Sequence, residues 1–188
     1  MPYLYHLCAD DFRGDELLPL NLLATRFPDL HDRELRKWVG RESVIRFPVP
    51  HLGVIWGDTV NLAALDPARL LEARRRLGVP FSSLLKRSVV HIPVERITSQ
   101  AAVVYDSRSH WRNSRPDLDG VPEAPPRSDF TPFDPDTYEE LTEVPALHLD
   151  YLLEQRDAGV PALGFVFVRH VLVAGTVNVS GLARTRLG

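Results

Sequence analysis

The sequence is poor in three things, and each shortage narrows the field. It has one cysteine, Cys8, so an internal disulfide and a zinc ribbon are both excluded, and a reducing compartment is expected. It has no apolar run of the roughly 18–20 residues that a membrane-spanning helix needs, so no membrane partner is expected. It has almost no lysine: Lys37 and Lys86 stand among 22 basic residues, and the rest are arginine. The opening Met-Pro-Tyr-Leu-Tyr-His has neither a basic leader nor a small-residue cleavage site, so a cytoplasmic protein is expected.

Familiar motifs are missing too. No GxGxxG follows a strand and no GxxxxGK[ST] occurs, which argues against a dinucleotide-binding Rossmann unit and a P-loop. HExxH, paired CxxC, EF-hand and GxSxG patterns are absent. The seven histidines show no metal-ligand spacing, so no metal is expected.

What is present is an ordinary globular composition. The chain has 188 residues, 44% hydrophobic and 25% charged, with a net charge of −3. This length fits one domain, 1–188, with a sizeable core. The negative balance argues against bulk phosphate binding and leaves room for a local basic groove.

Tyr3 to Cys8 reads as a strand. A helix is expected from Asp29 to Glu42, capped by Asp29, with Leu35 and Trp38 on one face. Val44 to Val49, Val54 to Trp56 and Thr59 to Ala64 read as extended pieces. The clearest element is a helix with Asp66 as cap, Pro67 in the first turn, Leu70, Leu71 and Leu77 inward, and Gly78 as its stop. Ser88 to Ile97 and Ala101 to Tyr105 read as strands. From Asp106 to Pro135 periodicity vanishes and five prolines occur from Pro116 to Pro132, so a long irregular loop is expected. A short helix over Pro135 to Leu141 and a longer one over Pro145 to Asp157 follow. Leu163 to Val173 and Thr176 to Val179 read as a closing hairpin around Ala174-Gly175. Strands outnumber helices without βαβ alternation, and the class is α+β.

Several residues have chemistry to offer, each with a structural alternative. His6 shares a strand face with Leu4 and Cys8, where it suits a ribose hydroxyl or a backbone group in the core. Trp56-Gly57-Asp58 offers a flat ring and a carboxylate to a base, or a core tryptophan beside a capped turn. His91 reads as structural. Tyr105 to Arg112, with Arg108, His110 and Trp111, suits phosphate and base recognition or is a polar loop end. Arg36, Arg41 and Arg46 suit a pyrophosphate or the solvated surface. Glu139, Glu140 and Glu143 are general bases by type, or a charged helix face.

Four blocks in order resemble the DarT-type DNA ADP-ribosyltransferases. They are Tyr5-His6-Leu7-Cys8 with Asp11 behind it, Arg36 to Arg46 before Pro48-Val49-Pro50, Asp58 to Pro67, and Val89-Val90-His91-Ile92 with Ala101 to Asp106. The resemblance implies an ADP-ribosyltransferase-like split β-sandwich with peripheral helices. It also implies NAD as co-substrate, with a nucleic-acid or other acceptor such as a protein. His6, Cys8 and Trp56 would meet the nucleotide and Arg41 its pyrophosphate. The family's threonine is Cys8 here. Where the family carries a catalytic glutamate at a late strand, this chain reads Leu163-Gly164-Phe165-Val166, so Asp58 or Glu140 would have to supply the acid. A non-catalytic binding module on the same fold, or an unrelated enzyme with its site at Tyr105 to Arg112, are the alternatives.

Overall fold

The computed structural model describes residues 2–9, 12, 14–80, 87–107 and 123–187. Its centre is a seven-stranded antiparallel sheet in the order β11-β6-β1-β5-β9-β7-β8. These strands are β1 (Tyr3–Ala9), β5 (Thr59–Ala63), β6 (Arg87–Pro93), β7 (Ala102–Tyr105), β8 (Phe130–Pro132), β9 (His170–Ala174) and β11 (Arg184–Leu187). Two small ribbons flank it: β2 (Glu16–Leu17) with β10 (Val177–Asn178), and β3 (Pro48–Val49) with β4 (Val54–Ile55). Among the described residues four α-helices complete the α+β fold: α1 (Leu20–Arg26), α2 (Pro28–Leu35), α3 (Pro67–Leu77) and α4 (Ala146–Ala158). No helix among the described residues is long and apolar enough to cross a membrane.

Period-two alternation sends the two faces of the sheet into different cores. Leu4, Val60, Leu62, Val90, Ile92 and Val171 pack into one cluster. Tyr5, Ala63, Val89 and Leu187 join Leu70 and Leu71 of α3 in another. Burying each of those leucines contributes about 1.5–3 kcal/mol. Asp66 caps α3 by accepting from Ala68 N at 2.9 Å, and Gly78 ends it in the left-handed region at φ 67°. That left-handed stop is the geometry only glycine adopts without steric cost.

Several expectations are corrected. The helix expected from Asp29 to Glu42 begins at Pro28 and ends at Leu35, so Asp29 lies in its first turn, and 3₁₀ turns at Arg36–Trp38 and Glu42–Arg46 follow. The Asp106 to Pro135 stretch contains β8, paired to β7 through Val103–Pro132, Val104–Thr131 and Tyr105–Phe130. Pro135 to Leu141 forms a turn and a bridge from Leu141 to Leu65, with no helix. The closing hairpin does not form: β9 pairs with β5 and β7, and β10 pairs with β2. Backbone pairing across more than 60 residues overrides the local turn signal at Ala174-Gly175.

Candidate functional site

The two edges of β1 differ. It pairs with β6 at seven positions, from Tyr3–Pro93 to Ala9–Arg87, but with β5 only at Tyr5–Ala63. Beyond that pair the register would set Leu7 opposite Asn61. Instead, the Asn61 carbonyl lies 2.9 Å from His6 Nδ1. The strands part there, and a cleft of about 660 Å³ opens between them. It is larger than the grooves of about 490 and 600 Å³ elsewhere among the described residues.

Its opposite wall is a helical stripe. Leu20 and Leu23 of α1, Phe27 at the break between the two helices, Leu30 and Glu34 of α2 and Trp38 of the 3₁₀ turn line the cleft. Within each helix the three- or four-residue step, Leu20 to Leu23 and Leu30 to Glu34, keeps its pair of side chains on one face. Gly57 closes the packing between wall and floor: a Cβ there would lie 2.6 Å from Ile45 Cγ2 and 2.8 Å from Asn21 Oδ1.

A carbonyl can only accept, so the His6–Asn61 hydrogen bond assigns the proton to Nδ1 and leaves Nε2 as an acceptor. Burial holds the His6 imidazolium below the ordinary histidine range, and Lys37 pushes the same way against Asn61 and Glu34. His6 therefore accepts a hydrogen bond at neutral pH. Cys8 also lines the cleft, and burial pushes its thiol up to about 11, so it presents a neutral S–H.

The cleft is locally basic in an acidic chain. Arg33, Lys37, Arg41 and Arg87 line it against Glu16 and Glu34. Arg26 engages Glu16 at 3.6 Å, and Glu34 is ion-paired with Lys37 and, at 3.8 Å, with Arg33. Arg41 has no carboxylate partner among the described residues. Its guanidinium lies 5.4 Å from the Trp38 ring centroid and donates to the Lys37 carbonyl at 2.9 Å. An arginine held over an indole offers a flat cation to phosphate and an aromatic face to a base. The groove of about 490 Å³, lined by Asp106, Asp129, Asp134 and Glu139 with Arg169, has the opposite character and repels phosphate.

The structure brings His6, Cys8, Trp56 and Arg41 together in the cleft. Trp56 lines it from inside the core, only 9% exposed, with Tyr105 edge-on at 5.0 Å and Phe130 at 6.4 Å. Its packing is that of a core tryptophan, and half-buried Trp38 is the more accessible ring. Asp58 is outside the lining and caps its own turn, accepting from Asn21 Nδ2 at 2.7 Å and Ile55 N at 3.4 Å. Glu140 is likewise remote. It accepts from Tyr3 N at 2.6 Å and contacts Tyr5, whose side chain leaves β1 on the opposite face from His6. Neither carboxylate reaches the cleft. Tyr105 is a core residue, tilted against Phe130 at 4.9 Å. Arg108, His110 and Trp111 lie outside the described residues. Arg36 and Arg46 do not line the cleft, and His91 is structural, bonded to Thr185 Oγ1 at 3.0 Å.

Sequence reasoning missed Glu34, Lys37, Trp38 and Arg87 as cleft residues. The first three reach the cleft only because α2 and the turn after it cover the place where β1 and β5 part. Arg87 reaches the cleft through sheet pairing opposite Ala9, which no local pattern encodes.

No protein-family model matches the chain, and no curated protein matches it. Among solved structures, Thermosipho africanus DarTG in complex with ADP-ribose is similar, with a TM-score of 0.45 and 10% identity. The match covers 97% of this chain, which spans 43% of the length of that one.

Proposed function

We propose that this chain binds an NAD-class dinucleotide in the cleft between β1 and β5 and acts as an ADP-ribosyltransferase-like protein. The observation that carries the reading is the His6–Asn61 bond at the point where the strands part, which fixes a neutral acceptor over a largely apolar cleft edged by Lys37, Arg41 and Arg87 and the Trp38 ring. A ribose hydroxyl donates to such an acceptor. A pyrophosphate suits Arg41 and Arg87, and a base suits the Trp38 face. The acceptor of a transferred ADP-ribose would be a nucleic acid or a protein.

A second reading, a non-catalytic nucleotide-binding module, is favoured by one observation. Asp58 and Glu140 are both committed to structural hydrogen bonds away from the cleft, and Leu163 to Val166 lies in an irregular segment with no carboxylate.

Calorimetric titration of the protein with NAD tests binding, beside His6→Ala. The expected result is saturable binding that weakens at least about tenfold in the variant, the loss of one good hydrogen bond. Absence of binding at millimolar NAD would overturn the proposal. Nicotinamide release from the bound dinucleotide separates the transferase from the module.

A further inference from the structure

We propose that the cleft between β1 and β5 takes a second class of ligand, a single alkyl chain with an anionic head. The chain lies along the apolar wall and the head sits on Arg41, in competition with a dinucleotide's pyrophosphate. The inference goes beyond the NAD reading and does not rest on it.

The lining divides by chemistry. Phe12, Leu17, Leu20, Leu23, Phe27 and Leu30 line the cleft from the turn after β1, from β2 and from the run of α1 into α2. Leu17, Val60 and Cys8 belong to one buried cluster, and Phe12 packs against it. Arg184 holds this corner: its guanidinium lies 4.9 Å from the Phe12 ring centroid and donates to Phe12 O at 3.0 Å and Gly14 O at 2.8 Å. Trp38 packs instead against the cluster that contains Trp56 and Val44, and it carries Arg41 at 5.4 Å. One part of the lining is apolar, and the other pairs an aromatic ring with a cation.

The NAD reading uses the second part and leaves the first without a role. Ribose hydroxyls need partners when buried, and the polar side chains of the lining are largely spent on the protein. Thr59 Oγ1 donates to the Trp56 carbonyl at 2.8 Å, Glu16 pairs with Arg26 at 3.6 Å, and Glu34 pairs with Arg33 at 3.8 Å and with Lys37. The Cys8 thiol behaves as a small apolar group. A run of methylenes asks for no hydrogen bond and gains from each apolar contact. About 660 Å³ of mainly apolar cleft with a few placed polar groups is the usual form of a small-molecule pocket. Charge selects the head. Arg41 donates to one carbonyl, and the rest of its fork matches two oxygens of a phosphate or a carboxylate.

The test is calorimetric titration of the protein with butyl, hexyl and octyl phosphate below their micelle concentrations, with octanoate and octanol beside them. Saturable single-site binding is expected, tightening about fourfold for each methylene that enters the cleft. The heat-capacity change should grow more negative along the series. Octanoate should bind like octyl phosphate, and octanol at least about tenfold more weakly, because the head is held by a charge-assisted bond. Leu30→Gln, on a helix with no buried residue, is expected to fold. It should weaken octyl phosphate at least about fivefold and butyl phosphate by no more than about twofold. Arg41→Met should weaken both by one common factor, about tenfold.

An affinity that rises less than about threefold from butyl to octyl overturns the proposal. So does octyl phosphate binding that Leu30→Gln leaves unchanged at a wild-type melting temperature. Binding of anionic-lipid vesicles without binding of monomeric octyl phosphate overturns it too, and assigns the apolar wall to a membrane surface. NAD is titrated separately. Failure of NAD to bind overturns the NAD reading alone, whereas NAD binding undisturbed by saturating octyl phosphate overturns the placement of the head on Arg41.

Discussion

Along its β6 edge, β1 is bonded through seven residue pairs; along its β5 edge it is bonded at Tyr5 alone. The first edge makes core, with Leu4, Val90 and Ile92 fully buried. The second edge makes a cleft, because a carbonyl released from the ladder takes a side chain as its partner instead. Two arginines repeat the contrast. Arg74, 1% exposed on α3, directs its guanidinium at protein carbonyls: Pro80 O at 3.1 Å, Ala162 O at 3.0 Å and Leu163 O at 2.6 Å. Arg41 satisfies one carbonyl and leaves the rest of its fork toward the cleft. Polar groups that the protein satisfies itself stabilise the fold, and those it leaves open are available to a ligand.

That contrast breaks most visibly at Arg74. Arg74→Met strips three carbonyls of their donor and releases the 160–168 segment from α3. A stability loss of about 3–5 kcal/mol is expected in urea denaturation, with the cleft's affinity for NAD unchanged in whatever fraction stays folded.

Acid attacks the same region. His148 is fully buried, with Nδ1 2.7 Å from the Val166 carbonyl, and burial lowers its pKa to about 4. A histidine whose folded value lies below its unfolded value of about 6.5 contributes its full stability above that pH and loses it as the pH falls towards the folded value. Between pH 6.5 and 4 the loss from His148 is roughly 3 kcal/mol, and His170, also lowered to about 4 by burial, adds in the same direction. His148→Gln is expected to flatten that part of a stability-against-pH curve. An unaltered curve would mean that His148 is not the group responsible.

Gly57→Ala sharpens the comparison from the cleft side. Its methyl would sit 2.6 Å from Ile45, forcing the helical wall away from the sheet. The expected cost is about 1–3 kcal/mol, accompanied by weaker NAD binding, measured by thermal melting and titration on one sample. The smallest effect on the fold is expected at Arg41. Arg41→Met should change stability by less than about 0.5 kcal/mol, while NAD binding falls about tenfold, the reverse of the Arg74 result.

The sequence carried the parts of this fold that are punctuated locally. Asp66, Pro67 and Gly78 mark α3 at both ends because cap, first turn and left-handed stop are each a property of one residue and its neighbours. β1 was legible from its alternation, and so was His6 on the face of Leu4 and Cys8. The strand β8 was not, because three residues among prolines become a strand only through pairing with β7. The partners of β9 were not either, since β5 and β7 compete for it from distant sequence. In the site, type and order do not separate Arg41 from Arg36 and Arg46; the fold does, setting Arg41 alone of the three in the cleft lining. Glu34 and Lys37 looked like ordinary helix-surface charges, and only the parting of β1 from β5 turns that helix face into a wall. Asp58 and Glu140 carried the right chemistry, but their partners, Asn21 and Tyr3, are chosen by the tertiary fold.

The central claim is that the open edge of β1 is the nucleotide site, and a backbone amide NMR titration with NAD tests it most directly. The account predicts shifts at His6, Cys8, Trp38, Arg41 and Asn61, with the bonded side of the sheet, Val89 to Ile92 and Thr185, unmoved. Shifts centred on Asp129, Thr137 and Arg169 in the acidic groove, or none at millimolar NAD, would contradict it.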